Sequence, residues 1–229
     1  MKNSIEIISK IPLFAGLPKD QLEGLSRIVL EKRFAKGEPI FFEGDRANGF
    51  YVVIKGQVKV FKLSIDGKEQ ILHIFGPGEP FGEVPVFAGQ DFPAHAEAIA
   101  ASRLFFFPRD AFTDLIDKNP SLALNMLAVL SRRLRQFTVQ VEHLSLKEVP
   151  GRLAVYLSYL SNEKDGDVMV DLGISKGHLA SLLGTIPETL SRILAKMTKN
   201  GLIRVEGHRI EILDRDALEV LSTGGKRLI

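Results

Sequence analysis

Between Arg109 and Leu146 the chain has no glycine, and the one proline inside that stretch, Pro120, stands where a second helix can open. After it, Leu127, Leu130, Leu134, Phe137, Val141 and Leu144 follow at steps of 3, 4, 3, 4 and 3. Steps of three and four put all six on one stripe of a helix, which is the seam of a two-stranded coiled coil. A helix lying on its own domain also has an apolar stripe. The polar run Arg132-Arg133-Leu134-Arg135-Gln136 beside the seam favours a second copy of the chain as partner. A long dimerising helix over 120–146 is therefore expected, and the rest of the chain must be arranged around it.

On its N-terminal side, from Phe34 to about Phe107, short β-type runs are broken by glycine. Gln57-Val58-Lys59-Val60-Phe61 alternates as a half-buried strand would. In Tyr51-Val52-Val53-Ile54 the sequence does not show which face is buried. Asp66-Gly67 between two such runs signals a hairpin, because glycine supplies the positive φ of the turn. Many short strands with regular glycine turns predict a roll or barrel. On the C-terminal side, Pro150-Gly151 opens a smaller α-rich unit: a helix over RLAVYLSYLSNEKDG closed by a glycine turn, a short strand VMVDL, and a short helix ISKGHLASLLG closed by Gly184. The expected fold class is α+β, with a sensing β-roll and its dimer helix over 1–148 and a second domain over 149–229.

With 229 residues, 45% hydrophobic and 25% charged, the chain can bury two cores. The formal net charge is only +2, so a polyanion must be met by a local basic patch. With no cysteine, thiolate metal sites, iron-sulfur clusters and thiol chemistry are excluded. No apolar run approaches the roughly 20 residues that cross a bilayer, and MKNSIEIISKIPLFAGL lacks the pattern of a secretory signal. A cytoplasmic location without membrane contact is expected. There is no P-loop, no nucleophile-base spacing and no metal-ligand cluster, and GPGEPFG departs from G-x-G-x-x-G, so an enzyme is not expected.

The second domain holds the motif with the most chemical content. If Pro187 opens a helix, Leu190, Ile193, Leu194 and Met197 share one face, and Glu188, Ser191, Arg192, Ala195, Lys196 and Lys199 share the other. With Ser175 to Leu183 before it and a tight glycine turn between, this is a helix-turn-helix. The second helix can then enter a major groove, Arg192 donating to guanine and Glu188 accepting from cytosine, with Ser191 on either a base or a phosphate. Lys176, Thr189, Lys196 and Lys199 suit phosphates. LIRVEGHRIEIL, with Gly207 at its tip, reads as the wing hairpin. Two plainer readings stand beside this. Thr185-Ile-Pro-Glu188 also fits a capping box, and exposed charges such as Glu163 commonly only solvate a face. The alternative function is a module whose C-terminal helices bind a protein.

HLASLLG, then PETLSRIL and MTKNGLI, resembles the C-terminal domain of the CRP/FNR superfamily, named for the cyclic-AMP receptor protein and the fumarate-nitrate reduction regulator. The resemblance extends through IPLFAGLPKDQLEGL, FFEGD, GFYVVIKGQVKVF and GEPFGE, nearly the whole chain. It implies a cyclic-nucleotide-binding-like β-roll, a central dimer helix and a C-terminal winged helix-turn-helix. It further implies a homodimer on a double-stranded DNA palindrome, its two recognition helices about 34 Å apart, with half-sites such as TTGAT or TGTGA and RNA polymerase as a further partner.

The departures bear on what such a protein senses. Cyclic-nucleotide receptors follow Gly82-Glu83 with an Arg-Ser clamp for the cyclic phosphate, and Phe92, Pro93 and Ala94 stand at that place here. Where those receptors use a Thr-Ser pair against the adenine, this chain has Phe137-Thr138. Cyclic AMP is not the expected effector. The resemblance leaves haem with nitric oxide or carbon monoxide first, with His95 as iron ligand among His73, His95, His143, His178 and His208, and a small organic anion second. The expected effector pocket is Gly82, Glu83, Phe92, His95, Met126, Leu130, Phe137 and Thr138. The apolar set Phe81, Phe87, Phe92, Met126 and Leu130 is equally explained as core.

Overall fold

A computed structural model describes residues 2–162 and 167–223; Glu163 and the glycine turn expected at Gly166 lie outside the described residues. The chain divides into two compact units, Met1–Arg135 and Gln136–Ile229. The first begins with helices α1 (Lys2–Ser9) and α2 (Lys19–Ile28), which the sequence reading did not contain. The strands β1 (Leu30–Phe34), β2 (Pro39–Phe41), β3 (Gly49–Lys55), β4 (Val58–Leu63), β5 (Glu69–Phe75) and β6 (Pro80–Phe81) follow. Helix α3 (Glu83–Ala88) precedes β7 (His95–Ala98), β8 (Ser102–Pro108) and helix α4 (Arg109–Lys118).

The strands form two antiparallel four-stranded sheets, ordered β1-β8-β3-β6 and β2-β7-β4-β5. This is the roll that the glycine-punctuated runs predict. Phenylalanine fills it: Phe50 stacks on Phe107 at 5.1 Å and meets Phe112 of α4 edge-on at 4.9 Å. Such pairs are worth about 0.5–1.5 kcal/mol beyond the area they bury. The question left open at Tyr51-Val52-Val53 has an answer in topology. β3 is an inner strand between β8 and β6, and Phe50 through Val53 are all buried. The Asp66-Gly67 hairpin joins β4 to β5, with Gly67 at φ +75° and its N–H donating to Ser64 O at 2.9 Å.

In β4 the faces alternate in unbroken register with β7, yet Lys59 is buried instead of facing water. Its Nζ donates to Glu69 Oε2 at 2.5 Å, lies 3.5 Å from Glu97 Oε1, and sits 4.4 Å from the centroid of Phe61. An unpaired buried ammonium would be far too costly, so the two carboxylates on flanking strands are what allow it there.

Helix α5 (Pro120–Leu146) opens at Pro120 as expected. Leu122 and Met126 are buried in the core of the first unit, which draws the division of the chain into α5, whereas the sequence reading put it at 148. Along the seam Leu127, Leu134, Phe137, Val141 and Leu144 are exposed and Leu130 is half-buried. Each side chain of this kind contributes about 1.5–3 kcal/mol when fully covered, so a second helix against the stripe is strongly favoured. Replacing Leu134 and Val141 together by Lys is expected to halve the sedimenting mass while leaving far-ultraviolet circular dichroism unchanged. An unaltered oligomer would show that the stripe serves another purpose.

The second unit has α6 (Val149–Asn162), β9 (Met169–Asp171), α7 (Lys176–Leu182), α8 (Pro187–Lys199), β10 (Ile203–Glu206), β11 (Arg209–Ile212) and α9 (Arg215–Ser222). Its three-stranded sheet is ordered β10-β11-β9.

Candidate functional site

In the second unit, Ser175 caps α7, its Oγ accepting the N–H of His178 at 3.1 Å. Gly184, at φ +66°, makes the tight turn, and the N–H of Thr185 returns to Ala180 O at 2.9 Å. Helix α8 then starts with Pro187 in its first turn, where no N–H is needed. Its N-cap is Ile186, without a side-chain hydrogen bond, so the capping box expected from Thr185 to Glu188 does not form. The extended backbone at Ile186 moves the helix start one residue past the one that the box requires. Glu188 is thereby left outside any cap.

Leu190, Leu194 and Met197 are buried and Ile193 half-buried, which anchors α8. Glu188, Ser191, Arg192, Ala195, Lys196 and Lys199 are all exposed on the other face, as the periodicity predicts. Arg192 Nη2 donates to Thr189 Oγ1 at 3.1 Å, laying the guanidinium along the helix. Along this face runs an open cleft of ≈ 440 Å³, lined by Lys176, Ser191, Ala195, Thr198 and Lys199 beside Leu194 and Val205. The wing follows: β10 and β11 pair with Arg204 opposite Glu211, their side chains 2.6 Å apart, and Gly207 turns the tip at φ +64°. Glu188 sits at the positive end of the helix dipole and Lys196 and Lys199 at the negative end, so the charges also stabilise the helix that carries them.

In the first unit, the expected effector residues are distributed differently from the sequence reading. Gly82, at φ +75°, and Glu83 form the turn into α3. Phe92 is buried, its ring stacked on Phe41 at 3.7 Å and 7°, and a Cβ on Gly82 would stand 3.0 Å from that ring. Phe92 is thus part of the core, and it fills the space over the turn. Met126 is core as well, and Phe137 and Thr138 fall in the second unit. His95 does not face this region. Ala96 and Ala98 of β7 are buried, which puts His95 and Glu97 on the opposite face of the strand. Nδ1 of His95 accepts the N–H of Glu43 at 3.2 Å and Nε2 lies 3.8 Å from Glu43 Oε2. One nitrogen of His95 is thus held by the backbone of Glu43, and the ring lies on the face of β7 away from the Gly82-Glu83 turn.

Sequence reasoning missed Arg133, which comes from α5 to Glu83: Nη1 lies 2.5 Å from Oε1. An acid inside the apolar run Phe-Gly-Glu-Val-Pro-Val-Phe was the available signal, since a buried carboxylate requires a cation. Burial pushes the Glu83 carboxyl up, and Arg133 opposes the shift.

Known proteins share both parts of this architecture. Residues 31–119 match the cyclic nucleotide-binding domain and residues 151–221 the Crp-like helix-turn-helix domain. The chain is 32% identical over 213 residues to the cyclic AMP receptor protein of Thermus thermophilus, covering 93% of this chain and 97% of that one. It is 30% identical over 217 residues to the CRP-like cAMP-activated global transcriptional regulator of Mycobacterium tuberculosis, with coverage of 93% and 97%. The solved structure of FixK2 from Bradyrhizobium japonicum aligns with a TM-score of 0.75 at 26% identity, over 85% of this chain and 97% of that one. A β-rich cyclic-nucleotide-binding-like domain joined to a helix-turn-helix defines a DNA-binding transcription regulator with an effector-binding domain. The chain belongs to the CRP/FNR family of these regulators.

Because Phe92 is packed on Phe41, Phe92→Ala is expected to lower the unfolding free energy by about 3–5 kcal/mol. Urea denaturation followed by circular dichroism checks this; a loss under about 0.5 kcal/mol, as for a surface site, would contradict the packing described.

Proposed function

We propose that the protein is a homodimeric, sequence-specific regulator that binds a DNA palindrome through α8 and responds to a small effector other than cyclic AMP. The observation that carries the DNA reading is the exposed face of α8. One acid and three cations stand there at helical spacing, on a helix held by a buried stripe. Glu188, Ser191 and Arg192 contact base edges, and Lys176, Thr189, Lys196 and Lys199 contact phosphates. The exposed seam of α5 supports the dimer, whose two-fold axis calls for a palindromic site.

Two relatives are named for cyclic AMP. This chain offers the cyclic phosphate no Arg-Ser clamp, and the loss of such a charge-assisted contact costs about 1.5–3 kcal/mol. The Phe92 ring over Gly82 also takes up room. With His95 turned away, a small organic anion is the better reading of the effector than haem.

On a selected palindrome, log affinity is expected to fall linearly with log salt, because Lys and Arg release counterions from phosphates. Arg192→Ala is expected to cost about 1–3 kcal/mol and to relax preference at one base pair per half-site, while Lys199→Ala weakens all sequences alike. Fluorescence anisotropy across salt concentrations and single-base variants measures both. Unchanged base preference in Arg192→Ala would remove α8 from the reading role. Salt-insensitive binding to a protein would favour the interaction-module alternative.

A further inference from the structure

Three cations stand in a row across one sheet of the roll. Arg33 of β1 is opposite Arg103 of β8, and Lys55 of β3 is opposite the same Arg103. Like charges directly opposite one another destabilise a sheet. Arg33 is held only by Glu31 of its own strand, at 3.1 Å, with its side chain 81% exposed. Arg103 and Lys55 have no ion pair among the described residues, and Nε of Arg103 is buried without a hydrogen-bond partner. Alternate residues of β8 share a face, so Arg103 is on the side of Phe107, whose ring lies 5.9 Å from Phe112 of α4. The row and α4 therefore lie on one face of one sheet.

Helix α4 carries the opposite charge at matching intervals. Asp110, Asp114 and Asp117 are exposed and follow at steps of four and three, which makes them one stripe of the helix. None of the three has an ion pair among the described residues, and acids four residues apart on a helix repel. At about 1.5 Å per residue the stripe is about 10.5 Å long. The row crosses two strand spacings, from β1 over β8 to β3, which is about 9.6 Å. Each line of charge is uncompensated in its own chain, and each has the length and sign to compensate the other.

We propose that this face binds the same face of a second copy of the chain, the cations Arg33, Arg103 and Lys55 of one copy lying along Asp110, Asp114 and Asp117 of the other. Because each copy carries both lines on one face, a two-fold axis forms the contact twice. The contact is separate from the seam of α5 and joins the dimers that the seam makes. Exposed ion pairs are weak singly and are screened by salt, so the association depends on several pairs acting together and on ionic strength.

The test is sedimentation equilibrium of the full-length protein at about 0.01 M salt, where the screening length is about 30 Å, and at about 1 M, where it is about 3 Å. Wild type is expected to exceed the mass of the seam dimer at low salt and to return to it at high salt. Arg103→Glu and Asp114→Lys, at the middle of the row and of the stripe, are each expected to abolish the larger species. Mixing the two variants is expected to restore it. The unaltered row then meets the unaltered stripe in one half of the contact, and the two reversed charges attract in the other. Lys68→Glu, exposed on the β4–β5 hairpin, changes net charge as much as Arg103→Glu does and is expected to leave the association intact. Thermal unfolding establishes which variants are folded; should Arg103→Glu not fold, the exposed Lys55→Glu takes its place in the same design. A wild type that keeps its high-salt mass at low salt overturns the proposal. So does a folded Arg103→Glu or Asp114→Lys that still assembles, a mixture that does not, or equal loss in Lys68→Glu. Failure of the α5 seam shows separately, as a monomer mass at high salt.

Discussion

The buried pairing of Glu83 with Arg133 is the contact on which the logic of the first unit turns. Both groups lie in an apolar setting where neither is tolerable alone. Each therefore constrains the other's element: the turn into α3 must present its carboxylate to α5, and α5 must arrive with Arg133 facing the roll. The aromatic wall of Phe75, Phe81, Phe41 and Phe92 surrounds that meeting point. Close packing of this kind has few alternative arrangements, so the pair and the rings around it hold one another in place.

The second unit depends on a simpler device. Helix α8 buries Leu190, Leu194 and Met197 and turns its charged face outward. Packing uses one side of the helix, so Arg192 or Lys199 on the other can be changed without touching the core. Arg192 is parked on Thr189 in the free protein. In the proposed DNA-binding role it would exchange that charge-assisted hydrogen bond for a base contact.

How the site was legible differs from residue to residue. The face of α8, the Asp66-Gly67 hairpin and the seam of α5 were readable because each is periodic or local: the information lies within a few turns of chain. Lys59 was misread because its cover comes from Glu69 and Glu97 on the flanking strands, which polarity within β4 does not show. Ile186 in place of Thr185 as cap was invisible for a different reason, since two start points one residue apart satisfy the same rules. His95 looked like a pocket residue by nearness to Phe92 in sequence. Strand parity turned it to the other face.

By itself the sequence determined the strand-rich roll, the two-faced helix α8 and the family, because these depend on periodicity, turn chemistry and motifs contiguous in the chain. Only the tertiary structure decided what fills the roll. Glu83 and Arg133 are 50 residues apart, Phe41 and Phe92 lie on opposite sides of the β4–β5 hairpin, and no pattern in the chain pairs them. Each pairing follows from which strands the sheets bring side by side and from the need of a buried charge or ring to be covered. That need names a kind of partner, and the fold alone chooses which residue supplies it.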